Sequence, residues 1–320
     1  MSSDPVPPLV LGIDAGGTKT VCLLADATGR VLAESRGGGA NLQAAGELEV
    51  EKVLHEVMEE ALANWPHVPA AICLGIAGVD REEDKAIVHG IMRRIGYKAR
   101  IVVTNDALVA LVAGAGDDPG VVIIAGTGSI AYGRNARGEA ARAGGWGYVL
   151  GDEGSGYWIG RHALRAVVRE ADGRGRLTAL TPKVLAHFGI ARPQDLVHEV
   201  YARHLPPPAI AALACHVEAA RREGDPVAAE ILERGADELV ASARSVTERL
   251  GMTGEAFPFL LAGGIFQAVP WLVTALQARL PQVAPRASVR RLDREPAYGA
   301  VLLARAAAEG RARLPVYRPA

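Results

Sequence analysis

Cysteine, aromatic side chains and a surplus of charge are all scarce in this chain. Its 320 residues include three cysteines and 5% aromatics, and the formal net charge at pH 7 is −1. Cys22, Cys73 and Cys215 stand apart, with no Cys-x-x-Cys pair and no Cys/His cluster. This spacing argues against a disulfide framework, structural zinc and an iron–sulfur cluster. It favours three small buried side chains in a reducing compartment.

Basic segments and long apolar segments are missing as well. The chain has 35 basic and 36 acidic residues. It therefore lacks the surplus of basic residues that would indicate binding to nucleic acid or to an anionic membrane surface. No uncharged stretch approaches the length of a membrane span, and the opening MSSDPVPP lacks the basic and apolar regions of a secretory signal. We therefore expect a cytoplasmic protein that binds neither nucleic acid nor membrane.

Glycine, in contrast, is abundant and clusters where apolar segments end. Three such junctions are LVLGIDAGGTKT at 9–20, VVIIAGTGS at 121–129 and FPFLLAGGIF at 257–266. Glycine allows close approach of the backbone to a ligand, and N–H groups beside hydroxyls suit phosphates. Each junction alone also fits an ordinary hairpin turn. Three of them at strand ends favour a nucleotide-binding α/β protein.

The order of the hydrophobic patterns predicts two related domains. Up to residue 113 the chain follows a β-β-β-α-β-α-β-α pattern, and the turn DDPG at 117–120 interrupts it. A second strand–glycine–strand segment follows, which indicates an internal duplication of architecture. We predict an N-terminal domain over residues 1–117. We predict a larger C-terminal domain over 118–320, with a helical insertion near 177–250.

Three acidic residues are candidates for chemistry. Asp106 follows a buried strand and opens a helix, where it can cap the helix or accept a proton from a substrate hydroxyl; Asn105 is a weaker candidate for the same role. Asp14 lies at the first glycine turn, where a carboxylate can face a metal ion while Lys19 faces phosphates. Asp152, in a loop with seven glycines at 143–160, either orders that loop or accepts hydrogen bonds from sugar hydroxyls.

These segments together resemble the BadF/BadG/BcrA/BcrD ATPase-like family of the actin-like sugar kinase superfamily. The resemblance spans nearly the whole chain, on the motifs GIDAGGTKT, VTNDA, IIAGTGS, GGWGYVLGDEGSGYWIGR, LLAGGIF and EPAYGAVLLA. It implies an α/β fold of two actin-like, ribonuclease H-like βββαβαβα domains. It also implies a homodimeric kinase that uses ATP and Mg²⁺ to phosphorylate the 6-hydroxyl of an amino sugar, N-acetylglucosamine above all.

The resemblance further implies roles for individual residues. Asp106 would be the general base, and Asp14 would position Mg²⁺ through water. The residues implied to bind ATP are Gly16, Gly17, Thr18, Lys19, Thr127, Gly128, Gly224, Gly264 and Ala268. Those implied to bind the sugar are Asn41, Asp106, Gly144, Gly145 and Asp152.

Other substrates and other functional classes stay open at this stage. The segment Ala77-Gly78-Val79-Asp80 departs from the family, because the vertebrate amino-sugar kinase has a serine in the corresponding SGGD segment. Loss of that hydroxyl leaves glucosamine, N-acetylmuramic acid or another hexose possible. Two alternatives of another class are an activase-type ATPase, which needs cysteines around an iron–sulfur cluster, and a non-catalytic sugar sensor, which needs a DNA-binding segment.

Overall fold

The computed structural model describes residues 8–65, 68–79 and 81–317, and the chain divides into two compact units. The first unit comprises Met1–Pro119, Ala136–Gly138 and Leu292–Val316. The second comprises Gly120–Asn135, Glu139–Arg291 and Tyr317–Ala320. The main boundary lies beside the DDPG turn. The predicted range 118–320 nevertheless differs from this division, because residues 292–316 return to the first unit.

The first unit is a five-stranded sheet with helices. Its strands are β1 (Val10–Ala15), β2 (Thr20–Ala25), β3 (Val31–Gly37), β4 (Ala71–Ile76) and β5 (Arg100–Thr104). Its helices are α1 (Leu42–Ala45), α2 (Glu47–Leu62), α3 (Glu82–Ile95), α4 (Asp106–Ala115) and, from the C-terminal segment, α12 (Ala297–Ala308). The strand order is β3-β2-β1-β4-β5. The central strands β1 and β4 are fully buried, which explains their continuous apolar sequences.

Close backbone packing explains why α12 belongs to the first unit. It packs on β1 and α4, and glycines allow the approach. A Cβ on Gly12 would lie 2.3 Å from the Val301 nitrogen, and one on Gly299 would lie 1.9 Å from the Val109 oxygen. The sequence pattern does not reveal which sheet this helix covers, since an apolar stripe shows only which helix face is buried.

The second unit repeats the topology of the first and has its own hydrophobic core. Its strands are β6 (Gly120–Ala125), β7 (Ser129–Arg134), β8 (Glu139–Gly144), β9 (Pro258–Ala262), β10 (Ser288–Arg291) and β11 (Val316–Tyr317). The order is β10-β9-β6-β7-β8-β11. As in the first unit, the first three strands pair antiparallel and the later two pair parallel. The predicted duplicated α/β fold is therefore confirmed.

Helices fill the connection between β8 and β9, where the sequence predicted an insertion. They are α5 (Gly156–Ala171), α6 (Leu180–Phe188), α7 (Pro207–Ala211), α8 (Ala214–Arg222) and α9 (Pro226–Arg249), with a 3-10 turn at Pro193–Asp195 and a π-helical turn at His198–Ala202. After β9 follow α10 (Ile265–Ala268), α11 (Pro270–Arg279) and a 3-10 turn at Leu280–Gln282. Asp225 caps α9, since its side chain accepts a hydrogen bond from the Ala228 nitrogen and Pro226 follows it at the first helical position.

The three cysteines do not behave alike. Cys22 and Cys73 are buried in strands, whereas Cys215 is exposed on α8, so the expectation of three buried thiols is wrong for the third. Burial raises the pKa of the Cys22 thiol to about 12. Across residues 8–65, 68–79 and 81–317, no three His, Cys, Asp or Glu side chains form a group that could hold a metal ion. No helix in this part of the chain is long and apolar enough to span a membrane.

Candidate active site

The first glycine turn joins β1 to β2 and is held in shape by its own backbone. The Gly16 N–H donates to the Lys19 carbonyl at 2.9 Å, and the Thr20 hydroxyl donates to the Gly38 carbonyl at 2.8 Å. The loop after β3 packs directly on this turn, because a Cβ on Gly39 would lie 2.3 Å from the Gly17 oxygen. Only glycine permits that approach.

The outer side of the same turn is suited to an anion. Gly17, Thr18 and Lys19 are exposed, and the space beside the Gly17 Cα is open to 4 Å. Within the described residues, no protein acceptor receives the N–H groups of Gly17 and Thr18. Exposed, unpaired N–H groups on a glycine turn are the donors that phosphate oxygens need.

Asp14 is a buried carboxyl whose pKa is strongly perturbed. It lies near the end of β1 with 8% of its surface exposed. Burial is the largest influence on the pKa of Asp14, followed by the nearby charge of Asp106. Glu295 also raises this pKa and Lys19 lowers it, and the net result is a pKa of about 8. Ionising Asp14 therefore requires additional positive charge close by, and a divalent cation would supply it.

A magnesium ion fits this environment. Mg²⁺ is usually held by one or two carboxylates together with substrate phosphates and water, not by a complete protein cage. Asp14 supplies one such carboxylate next to the open glycine turn.

Lys19 has a partner that the sequence patterns did not reveal. Its Nζ lies 2.5 Å from a carboxylate oxygen of Glu295, and an Arg36 guanidinium nitrogen lies 3.6 Å from the same oxygen. Glu295 begins the EPAYGAVLLA motif, and the sequence assigned it no ionic contact. A phosphate bound by Lys19 would share this lysine with Glu295 or displace that carboxylate.

Asp106 begins α4 directly after β5. The N-cap is Asn105, whose side-chain oxygen accepts from the Leu108 nitrogen at 2.8 Å, so the interpretation of Asp106 itself as the cap is wrong. Asp106 occupies the first helical position, where the helix dipole favours the negative carboxylate. Its charge also reaches Asp14. The two acids therefore belong to one electrostatic site, while the catalytic role of Asp106 stays a prediction.

Asn41 caps a short helix beside the segment that departs from the family. Its side-chain oxygen accepts from the nitrogens of Gln43 and Ala44, each at 3.0 Å. The next residue, Leu42, donates its N–H to the Ala77 carbonyl at 3.1 Å. The cap uses Oδ1, so Nδ2 is the atom that could donate to a sugar. Asp80, the last residue of that segment, lies outside the described residues.

The second glycine turn, Gly126 to Ser129, depends on Asp152. The Asp152 carboxylate accepts from the Ser129 nitrogen at 3.2 Å, and a Cβ on Gly128 would lie 2.7 Å from the other carboxylate oxygen. Asp152 itself has a φ of 58°, which is uncommon for a residue other than glycine. Burial raises its pKa, partly offset by the Ser129 N–H. This geometry supports the interpretation of Asp152 as the residue that orders the loop.

The same turn exposes donors much as the first one does. The Gly156 and Tyr157 N–H groups at the start of α5 donate to the carbonyls of Gly126 and Thr127, at 2.8 and 3.3 Å. The N–H groups of Thr127 and Gly128 have no protein acceptor in the described part of the chain. The carbonyls are therefore occupied while two N–H groups stay available to an anion.

Gly144 and Gly145 lie at the end of β8 beside the second turn, and an exposed apolar loop follows them. Both have positive φ values, and the Gly145 N–H donates to the Ser129 carbonyl at 2.9 Å. Arg142 donates to the Gly144 carbonyl at 3.1 Å and lies over the Trp146 ring at 5.1 Å. Trp146 is 63% exposed. Exposed aromatic surface beside a glycine pair suits a sugar ring, and glycine density alone did not predict it.

The third glycine turn lies against the second. A Cβ on Gly263 would lie 2.1 Å from the Ala125 oxygen, at the end of β6. Gly264 and Ala268 are exposed and joined by a hydrogen bond from the Ala268 nitrogen to the Gly264 carbonyl at 3.0 Å. Gly224 is exposed just beyond α8, and α8 packs against α10. The structure thus links Gly264 directly to the second turn, and Gly224 only through α8.

The candidate residues therefore form two groups, one in each unit. Asp14, the turn at 16–19 and Asp106 share one end of the first sheet, with Asn41 near Ala77. In the second unit, the turn at 126–129 adjoins Asp152, Gly144, Gly145 and Gly263. The roles assigned to all these residues, and the expectation that the two turns face one ligand, stay predictions.

Comparison with known proteins gives matches along almost the whole chain. A sequence model of the BadF/BadG/BcrA/BcrD ATPase family matches residues 11–304. An N-acetylmuramic acid/N-acetylglucosamine kinase of Clostridium acetobutylicum is 37% identical over 299 residues, covering 92% of this chain and 98% of the relative. An N-acetyl-D-glucosamine kinase of Dictyostelium discoideum is 33% identical over 310 residues, covering 92% and 97%. A solved structure from Chromobacterium violaceum has a TM-score of 0.76 at 28% identity, covering 93% and 99%.

Proposed function

Because the chain belongs to the BadF/BadG/BcrA/BcrD ATPase family, we propose that it is a kinase that transfers phosphate from ATP to the 6-hydroxyl of an amino sugar. The observation that carries the proposal is the coupling of Asp106, at the start of α4, to the buried Asp14 beside an open glycine turn. A general base and a metal-positioning acid at one site are what phosphoryl transfer to an alcohol requires.

Asp106 is the proposed general base. Phosphoryl transfer passes through a loose transition state, so the protein contributes mainly by positioning groups and by offsetting charge. The carboxylate at the helix start would orient the sugar hydroxyl and take its proton as the new P–O bond forms. General base catalysis of this kind contributes roughly 10²–10⁴-fold to the rate.

The two glycine turns are the proposed phosphate-binding elements. Their unpaired N–H groups belong to Gly17 and Thr18 in the first unit and to Thr127 and Gly128 in the second. Asp14 would hold Mg²⁺ through water, and the ion would neutralise charge on the phosphates. Gly264, Ala268 and Gly224 are proposed to contact the adenosine.

N-acetylglucosamine is the proposed substrate, with N-acetylmuramic acid as the second candidate. The relative at 37% identity is named for both sugars, and the relative at 33% identity is named for N-acetylglucosamine. Asn41, Gly144 and Gly145 are the proposed sugar contacts, with Asp152 ordering the loop that carries them. Ala77, which supplies only a backbone carbonyl to Leu42, removes one hydroxyl from this region, so a substrate with an additional substituent is a reasonable alternative.

The alternatives of another class have less support. An activase would need cysteines around an iron–sulfur cluster, but Cys22 and Cys73 are buried in separate strands and Cys215 is exposed on α8. A non-catalytic sugar sensor would not require the coupling of Asp106 to Asp14. A homodimer and a cytoplasmic location, both expected from the sequence, are part of this proposal. Light scattering on the purified chain would test the former.

A panel assay tests the function directly. ADP release is measured with Mg²⁺-ATP and each of N-acetylglucosamine, N-acetylmuramic acid, glucosamine, N-acetylmannosamine and glucose. We expect the highest kcat/KM with N-acetylglucosamine or N-acetylmuramic acid. Highest turnover with glucose or glucosamine would contradict the proposed substrate. No sugar-dependent ADP release with any of the five would contradict the kinase itself.

A further inference from the structure

A cleft lined by arginine lies in the second unit, and no residue of the glycine turns lines it. It has a volume of about 520 Å³ and runs between α5, the loop that follows it and α9. We call it the arginine cleft, and its basic lining residues are His162, Arg165, Arg169, Arg174, Arg176 and Arg234. No residue assigned above to ATP, sugar or metal lines it.

Positive charge in the arginine cleft exceeds the negative charge that pairs with it. Arg174 bonds Asp172 at 2.5 Å, and Arg176 forms an ion pair with Glu230. Arg165 and Arg234 have no carboxylate partner within residues 8–65, 68–79 and 81–317. A concave surface with unpaired guanidinium groups concentrates a positive field and favours anions.

A second feature also indicates uncompensated charge next to the cleft. The Nε atom of Arg161 is buried and has no hydrogen-bond partner among the described residues. Arg161 lies beside His162 on α5, and its charge acts on that imidazole together with those of Arg165 and Arg234. Three guanidinium groups near one histidine concentrate positive charge, which a bound anion would offset.

The shape of the cleft is fixed by backbone contacts. The N–H groups of Arg174 and Gly175 both donate to the Arg169 carbonyl at 2.8 Å. A Cβ on Gly175 would lie 3.0 Å from the Arg169 Cβ, so the loop lies tightly on the end of α5. His162 is fixed as well, because its Nδ1 bonds the Trp158 carbonyl at 2.8 Å. The arginine side chains therefore project from a preformed framework.

We propose that the arginine cleft is a second anion site that binds a phosphate monoester, either free phosphate or a small phosphorylated metabolite. Guanidinium groups bind phosphate oxygens in bidentate geometry. The volume suits a small molecule, because ligand pockets span roughly 300–1,000 Å³. Asp172 and Glu230 beside the cleft would repel an extended polyanion such as RNA. The inference goes beyond the proposed kinase activity and does not depend on it.

His162 provides a local reporter of binding. Burial and the surrounding arginines hold its pKa below the ordinary value, and a bound phosphate would offset those positive charges and raise it. The purified chain is labelled with ¹⁵N-histidine, and the His162 signal is assigned from a His162→Asn variant. Inorganic phosphate and glucose 6-phosphate are titrated separately, against potassium chloride at equal ionic strength.

We expect the His162 signal to shift and saturate with both phosphates but not with chloride. If glucose 6-phosphate saturates the signal at a lower concentration than inorganic phosphate does, a phosphorylated metabolite is the preferred ligand. If the two saturate it at the same concentration, the cleft recognises the phosphate group itself. No shift, or an equal shift with chloride, would overturn the proposal.

Arginine variants provide the matched test. Arg165→Gln removes an exposed, unpaired guanidinium and should weaken binding about tenfold, the effect of losing one charge-assisted hydrogen bond. Arg234→Gln should do the same, although it also loses the contact with the Trp158 ring at 5.6 Å. Arg244→Gln, an exposed arginine farther along α9, is the control and should bind like the unaltered chain. Equal binding by Arg165→Gln and Arg244→Gln would also overturn the proposal.

Discussion

Replacing Asp14 with asparagine should make the metal-free protein more stable while abolishing its proposed activity. Asp14 lies in β1 among apolar neighbours, and burial together with Asp106 and Glu295 raises its pKa to about 8. The unfolded chain ionises this carboxyl near pH 4. The folded protein must therefore keep a proton on Asp14, or hold an unfavourable charge, at neutral pH. Asparagine has nearly the same shape and no charge.

The size of the effect follows from the pKa difference, and its sign is definite. Below about pH 4 both states carry the proton, so Asp14 costs no stability there. Between pH 4 and pH 8 the unfolded state releases its proton while the folded state keeps it, so the free energy of unfolding falls as pH rises. At pH 7 the largest possible penalty is about 4 kcal/mol, at 1.36 kcal/mol for each pH unit. Water penetration and relaxation reduce it, so we expect about 1–3 kcal/mol.

Thermal unfolding over a pH series measures this directly. In the absence of Mg²⁺ and nucleotide, Asp14→Asn should unfold at the same temperature as the unaltered chain at pH 4, and about 2–8 °C higher at pH 8. Addition of Mg²⁺ and ATP should raise the unfolding temperature of the unaltered chain more than that of the variant. Asp117→Asn, at an exposed position, is the control and should show no pH-dependent difference.

Three results would contradict this prediction. If Asp14→Asn were less stable than the unaltered chain at pH 8, the carboxyl would be stabilising and its environment would differ from the one described. A difference of constant size from pH 4 to pH 8 would show that it does not arise from ionisation. Retention of full Mg²⁺-dependent turnover by the variant would remove the proposed metal role.

Three further substitutions test separate parts of the structure. Asp106→Asn should lower kcat by roughly 10²–10⁴-fold with little change in the KM for ATP; near-normal turnover in steady-state assays would exclude it as the base. Asp152→Ala removes the acceptor that orders the second glycine turn, so the free energy of unfolding measured in urea should fall by about 1–3 kcal/mol. The KM for ATP should rise as well. An unchanged KM would show that this turn does not contribute to ATP binding. Gly299→Ala forces a Cβ against the Val109 carbonyl and should lower the free energy of unfolding by about 3 kcal/mol. The control Gly254→Ala has open space around it and should lower it much less. Equal unfolding midpoints for the two variants would contradict the packing of α12.

Much of the fold could be predicted because its signals are local. Continuous apolar segments such as 71–76 predict strands buried on both faces, and the turn at 117–120 predicts the main boundary. The duplication was visible only as a repeated order of elements. The same pairing of five strands in each sheet now confirms it, and β11 is an additional edge strand of the second sheet. The position of a helix cap depends on side-chain geometry that the sequence alone does not fix, as the cap formed by Asn105 in place of Asp106 shows.

The candidate site was predictable in its backbone parts and less so in its charges. Glycine turns at strand ends can be recognised from sequence spacing, and the structure gives them unpaired N–H groups. The pairing of Lys19 with Glu295 could not be foreseen, because 276 residues separate the two side chains. The role of Asp152 was left open between ordering the loop and binding sugar, and only its hydrogen bond to Ser129 favours the former.

The sequence by itself determined which segments of this protein become strands, helices and glycine turns, because hydrophobic periodicity and the conformational freedom of glycine act over a few residues. Only the tertiary structure decided which sheet α12 covers, which carboxylate meets Lys19 and which arginines share a cleft. Those outcomes depend on close packing and on electrostatic interactions between residues far apart in the chain. No spacing along the sequence records such contacts.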